Sequence, residues 1–159
     1  DHICYIYQTL VEDGRVTFQH MNDFYDGLAT VAGKMNFKVN VKWHARGDAT
    51  IKKSLEARGF IVHNNFPLTT LYVGHFSSLL GMVPLVEGKI IIYELDGHDT
   101  PEPIRQCATS IAHNIPELER SLNLGSEARE SKNKQAEYYF GSDYSTTIEY
   151  EVIKSYLNG

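Results

Sequence analysis

The sequence predicts an α/β fold, a mainly parallel sheet with helices on both faces. Three observations carry this. Short apolar runs recur at residues 3–7, 38–43, 60–62, 71–73 and 89–93, each long enough for one strand. Segments with helical periodicity or a helix-start signal follow most of them. Polar, chemistry-bearing residues gather just after the runs rather than before them. Alternating strands and helices close into right-handed crossovers around a parallel sheet. Ligands of such sheets bind at the carboxyl ends of the strands.

Taken in order, Ile3-Cys4-Tyr5-Ile6-Tyr7 is a buried first strand. A loop over residues 8–16 carries Glu12-Asp13-Gly14. Thr17 is placed to cap a helix reaching to about Asn36, and Phe18, Met21, Tyr25, Leu28, Ala32 and Met35 mark one apolar face. Lys38-Val39-Asn40-Val41-Lys42-Trp43 is the second strand. Asp48 caps a helix that turns Ile51 and Leu55 inward and stops at Gly59. Phe60-Ile61-Val62 is a short third strand and Leu71-Tyr72-Val73 a fourth. Gly74-His75 then leads into Ser77-Ser78, which opens a helix. Lys89-Ile90-Ile91-Ile92-Tyr93 is the fifth strand, rich in β-branched residues. Thr100-Pro101 starts another helix, with Thr as cap and Pro in the first turn. Residues 123–137 read as a solvated polar segment. Residues 142–157 read as an amphipathic helix, with Ile148, Val152 and Tyr156 on one face.

The whole chain bounds the function. Its 159 residues suit one domain. A net charge of −5 argues against a general nucleic-acid surface, although local cations can still bind a phosphate. Cys4 and Cys107 lie in apolar segments without metal or disulfide spacing, which favours a reducing, cytoplasmic setting. No apolar run approaches the ~18 residues of a membrane span, and no signal peptide is apparent. The chain opens directly on a strand without an initiator Met. The expectation is therefore a fragment of something longer, with 1–159 as one domain of it.

The candidate site residues all follow strands. Glu12 or Asp13 can act as a general base, or the two form a solvated turn. His44 and Arg46 can meet a phosphate, with the alternative of a polar strand end capped by Asp48. Gly74, His75, Ser77 and Ser78 form a strand-to-helix turn suited to an anion, while Ser is equally a capping residue. Glu94, with Asp96 and His98 nearby, can accept ribose hydroxyls. His44, His75 and His98 have no compact metal-ligand spacing, so no metal is assigned. Gly-x-Ser-x-Gly, the phosphate-loop signature and Gly-x-Gly-x-x-Gly are all absent.

Glu12-Asp13-Gly14, His44-Ala45 and Ser77-Ser78 resemble, in the same order, the acid-acid-Gly, His-Pro and Ser-Ser/Thr signatures of bacterial sialyltransferases and related capsule enzymes. Ala45 stands where that family has Pro. The resemblance spans about residues 3–100 and implies two facing Rossmann-like domains, the glycosyltransferase-B arrangement. This chain looks like the C-terminal, nucleotide-binding half. By that resemblance Glu12 or Asp13 is the base, His44 assists the leaving CMP phosphate, and Ser77 and Ser78 hold it. The partners implied are a CMP-linked sugar and a saccharide acceptor, with no cofactor beyond the donor. The expected product is surface polysaccharide. A homo-oligomer through an exposed domain face is a further expectation. Alternatives are a CDP-linked polyol-phosphate transferase and a non-catalytic nucleotide-binding or regulatory domain.

Overall fold

A computed structural model describes residues 2–86 and 88–124. Of the polar segment read from sequence over 123–137, the part beyond residue 124 lies outside the described residues, as does the helix read over 142–157.

Six parallel strands form one sheet in the order β3-β2-β1-β4-β5-β6. They are β1 (His2–Ile6), β2 (Lys38–Lys42), β3 (Ile61–His63), β4 (Leu71–Gly74), β5 (Lys89–Tyr93) and β6 (Ser110–Ala112). The helices are α1 (Phe18–Lys34), α2 (Ala49–Ala57), α3 (Glu102–Arg105) and α4 (Ile115–Asn123). A 3₁₀ helix spans Ser78–Val86. The predicted parallel α/β sheet is therefore what forms. The strand order is that of the Rossmann arrangement, in which the chain winds outward from β1, then returns to start again at β4.

Burial of both faces explains the apolar strands. Tyr5 pairs with Val41 on one side and Val73 on the other, and Val73 pairs with Ile91. These residues form one face, packed by Met21, Phe24 and Leu28 of α1, Leu55 of α2 and Leu118 of α4. Cys4, Ile6, Tyr72, Ile90 and Ile92 form the other, under Phe66, Leu80, Val83 and Ile104.

The caps are local chemistry. Thr17 accepts a hydrogen bond from the His20 N–H, and Asp48 accepts one from Thr50 at 2.7 Å. The inward stripe of α1 runs through Met21, Phe24, Tyr25, Leu28, Val31 and Ala32, whereas Phe18 is exposed and Met35 falls past the helix end. β1 begins at His2 and leaves Tyr7 outside, and β3 sits one residue later than predicted. The helix predicted at Ser77 is a 3₁₀ helix. Its sequence includes Gly81 and Pro84, and Pro lacks the N–H that an α-helical ladder needs. Thr100 does not cap α3. Its hydroxyl is buried with no hydrogen-bond partner among the described residues, and Pro101 takes the cap position.

β6 and α4 add to the predicted set. Asn114 caps α4 by accepting from the Glu117 N–H at 2.9 Å, and Glu117 reaches back to the His113 N–H at 2.8 Å. A Cβ at Gly27 of α1 would lie 2.2 Å from the Ile115 side chain, so the missing side chain makes room for α4. Lys34 and Glu119 join the two helices at 2.9 Å.

Candidate functional site

Adjacent strands β1 and β4 run on into connections on opposite faces, which opens a crevice at their carboxyl ends. A pocket of about 360 Å³ lies there. The β1 loop lines it with Tyr7, Gln8, Thr9, Asp13 and Arg15; the β2 loop adds His44 and Arg46; the β4 loop adds Phe76, Ser77 and Ser78.

The two carboxylates of the acidic turn go separate ways. Glu12 accepts the Tyr7 hydroxyl at 2.6 Å and the Asp48 N–H at 2.8 Å, which ties the β1 loop to the start of α2. Burial first, then the Glu12 bond, push the Tyr7 hydroxyl far above its ordinary pKa. The Tyr7 ring stacks on Trp43 at 4.2 Å. Trp43 needs Gly47 beside it, because a Cβ there would lie 2.2 Å from the indole. Asp13 instead lines the pocket. It accepts the Thr9 hydroxyl at 2.9 Å and faces Arg46 at 3.4 Å. Arg46 also donates to the Thr9 hydroxyl at 3.2 Å.

His44 is exposed at the pocket, and its Nδ1 accepts the Arg46 backbone N–H at 3.1 Å. That bond leaves Nε2–H as the donor of the neutral ring. Ser77 caps the 3₁₀ helix, its Oγ accepting from the Leu79 N–H at 3.2 Å. Ser78 is exposed at the first helical position. The Phe76 N–H donates to Gln8 Oε1 at 2.9 Å, locking the β4 loop to the β1 loop across the crevice.

Three predicted residues sit elsewhere. His75 is fully buried beneath α1. Its Nδ1–H donates to the Tyr93 carbonyl at 2.8 Å, so its Nε2 accepts the Tyr5 hydroxyl at 3.2 Å. Desolvation lowers its pKa to about 4, against the Tyr93 hydrogen bond, which raises it, so it is a neutral core residue at physiological pH. Gly74 is inside β4, where a Cβ would press on Leu80 at 3.1 Å. Glu94 is held by Arg105, with His113 Nδ1 at 3.3 Å, and its side chain is 9% exposed. It is not part of the pocket lining.

Tyr7, Gln8, Thr9, Arg15 and Phe76 belong to the pocket and carry no sequence motif. Among the described residues, no group of three or more His, Cys, Asp or Glu side chains could hold a metal ion. No helix among them is long and apolar enough to cross a membrane. No family model, curated protein or solved structure matches the chain.

Proposed function

We propose that this chain is the nucleotide-sugar-binding domain of a glycosyltransferase that takes a CMP-linked donor. The observation that carries the proposal is one pocket. Asp13, His44, Arg46, Ser77 and Ser78 come from three separate strand-end loops and line the same cavity at the β1/β4 crevice. Asp13, His44, Ser77 and Ser78 fall in the three short motifs that resemble, in order, the signatures of bacterial sialyltransferases.

The chemistry follows from their types. The hydroxyl oxygen of a saccharide acceptor attacks the anomeric carbon of the donor sugar. The bond from that carbon to the phosphate oxygen breaks, and CMP leaves with the electron pair. The hydroxyl proton passes to Asp13. Asp13 lines the pocket and Glu12 does not, which supports Asp13 as the base. His44 Nε2–H and the Ser77 and Ser78 hydroxyls supply donors for the charge that develops on the phosphate. In the glycosyltransferase-B arrangement the acceptor is brought by a second, facing domain.

A non-catalytic nucleotide-binding role is the second reading, favoured by the Asp13–Arg46 pair, which holds the base against a cation. Calorimetric titration of the chain with CMP, CDP, UDP and GDP tests the nucleotide site. A CMP-linked donor requires CMP to bind tightest of the four. Tightest binding of CDP favours a CDP-linked polyol-phosphate donor, and no nucleotide binding contradicts both readings.

A further inference from the structure

We infer that Arg15 is the cation that pairs with the phosphate of the bound nucleotide, while Arg46 serves to hold Asp13. The inference rests on the pocket being a nucleotide site and assigns its charge to a residue outside every signature.

The two pocket arginines differ in what they already hold. Arg46 is matched by Asp13 at 3.4 Å and by the Thr9 hydroxyl at 3.2 Å. Among the described residues no carboxylate pairs with Arg15, and its side chain stands at an exposed position. With Asp13 and Arg46 cancelling, Arg15 leaves the pocket one uncompensated positive charge. His44, Ser77 and Ser78 contribute hydrogen-bond donors. A phosphodiester in a CMP-linked sugar carries one negative charge, so the charges match.

Arg15 is also positioned in advance. Its backbone N–H donates to the Leu10 carbonyl at 2.8 Å, just after the turn made by Gly14 at φ +67°. Its guanidinium carbon lies 5.7 Å from the centroid of the Phe76 ring. Phe76 is fixed on two sides, by Gln8 at its N–H and by His98 stacked at 6.3 Å. A guanidinium held over an aromatic face loses no N–H donor to that contact. Its fork stays available for a phosphate, and less side-chain freedom is lost on binding.

The test titrates wild type, Arg15→Gln, Arg15→Lys, Phe76→Leu and Arg46→Gln with cytidine, CMP and inorganic pyrophosphate by calorimetry. Thermal unfolding checks that each variant is folded. Arg15→Gln is expected to weaken CMP about tenfold or more and leave cytidine unchanged, because only the charged group is lost. Arg15→Lys recovers part of the loss, and Phe76→Leu gives a smaller loss with the same selectivity for CMP over cytidine. Arg46→Gln weakens CMP less than Arg15→Gln does. The inference is overturned if Arg15→Gln keeps the wild-type ratio of CMP to cytidine affinity, or if Arg46→Gln costs CMP more. Should Arg15→Gln fail to fold, unchanged CMP affinity in both Arg15→Lys and Phe76→Leu overturns it. A wild type that binds pyrophosphate through Arg15 but no nucleotide keeps Arg15 as the anion contact and removes the nucleotide reading alone. A wild type that binds neither removes both.

Discussion

Burial of a neutral His75 makes the fold sensitive to mild acid, and the size of the effect can be worked out. The imidazole is fully buried, with a pKa of about 4 against an ordinary 6.5. Above pH 6.5 the folded and unfolded chains both carry it neutral, and stability is unaffected. As pH falls from 6.5 towards 4, the unfolded chain binds a proton that the folded chain refuses, so stability declines. The decline levels off below about pH 4, where the folded state is protonated too. At about 1.4 kcal/mol per pH unit, the full loss is about 3 kcal/mol, of which about 2 kcal/mol falls between pH 6.5 and 5. Asp48 and Glu117 are held below their ordinary pKa, chiefly by backbone N–H bonds, so their contributions are lost at lower pH. Urea unfolding at several pH values from 7 to 5 measures the slope. Wild type is expected to lose about 2 kcal/mol across that range. His75→Gln, though less stable at pH 7, is expected to show a nearly flat profile. Parallel profiles for the two proteins would refute the assignment of His75 as a neutral core residue.

Tyr7→Phe and Glu12→Gln, combined in a double-mutant cycle by urea unfolding, are expected to couple by about 1.5–3 kcal/mol, the range for a hydrogen bond to a charged group. Ser77→Ala lowers thermal stability by about 1 kcal/mol because it removes a helix cap. Ser78→Ala is expected to leave the melting curve unchanged and weaken CMP binding by calorimetry. Asp13→Asn is expected to cut sugar transfer, assayed by CMP release with the acceptor domain present, by about 10²–10⁴-fold, with CMP affinity little changed. Equal losses from Asp13→Asn and Glu12→Gln with both variants stably folded would contradict the division of labour between them.

Strands were legible where a buried parallel sheet demands continuous apolar residues. β5 reads Ile90-Ile91-Ile92 because Ile91 faces the layer of α1 and α4 and its two neighbours face the other layer. β6 escaped because Ser110-Ile111-Ala112 offers one large apolar side chain, whereas the equally short edge strand β3 is announced by Phe60-Ile61-Val62. The cap signal for the helix after it, Asn114 followed three residues later by Glu117, was present in the chain.

The site divided in the same way. Asp13, His44, Arg46, Ser77 and Ser78 were legible because parallel strands deliver their following loops to one edge. His75 was not, although strand alternation carried the clue. It lies two residues after Val73, on the face that packs beneath α1. Glu94 joins Arg105 and His113 through the path of the chain into α3 and β6, which no motif encodes. Arg15, Gln8 and Phe76 meet only after the β1 and β4 loops fold together.

Whether the β1/β4 crevice holds a nucleotide, as proposed, is read by a backbone-amide NMR titration of the chain with CMP. Saturable shifts are expected at Thr9, Arg15, His44, Ser77 and Ser78, with little change at the second pocket formed by His2, Asn40 and His63. Shifts confined to that second pocket, or none at saturating CMP, would contradict it.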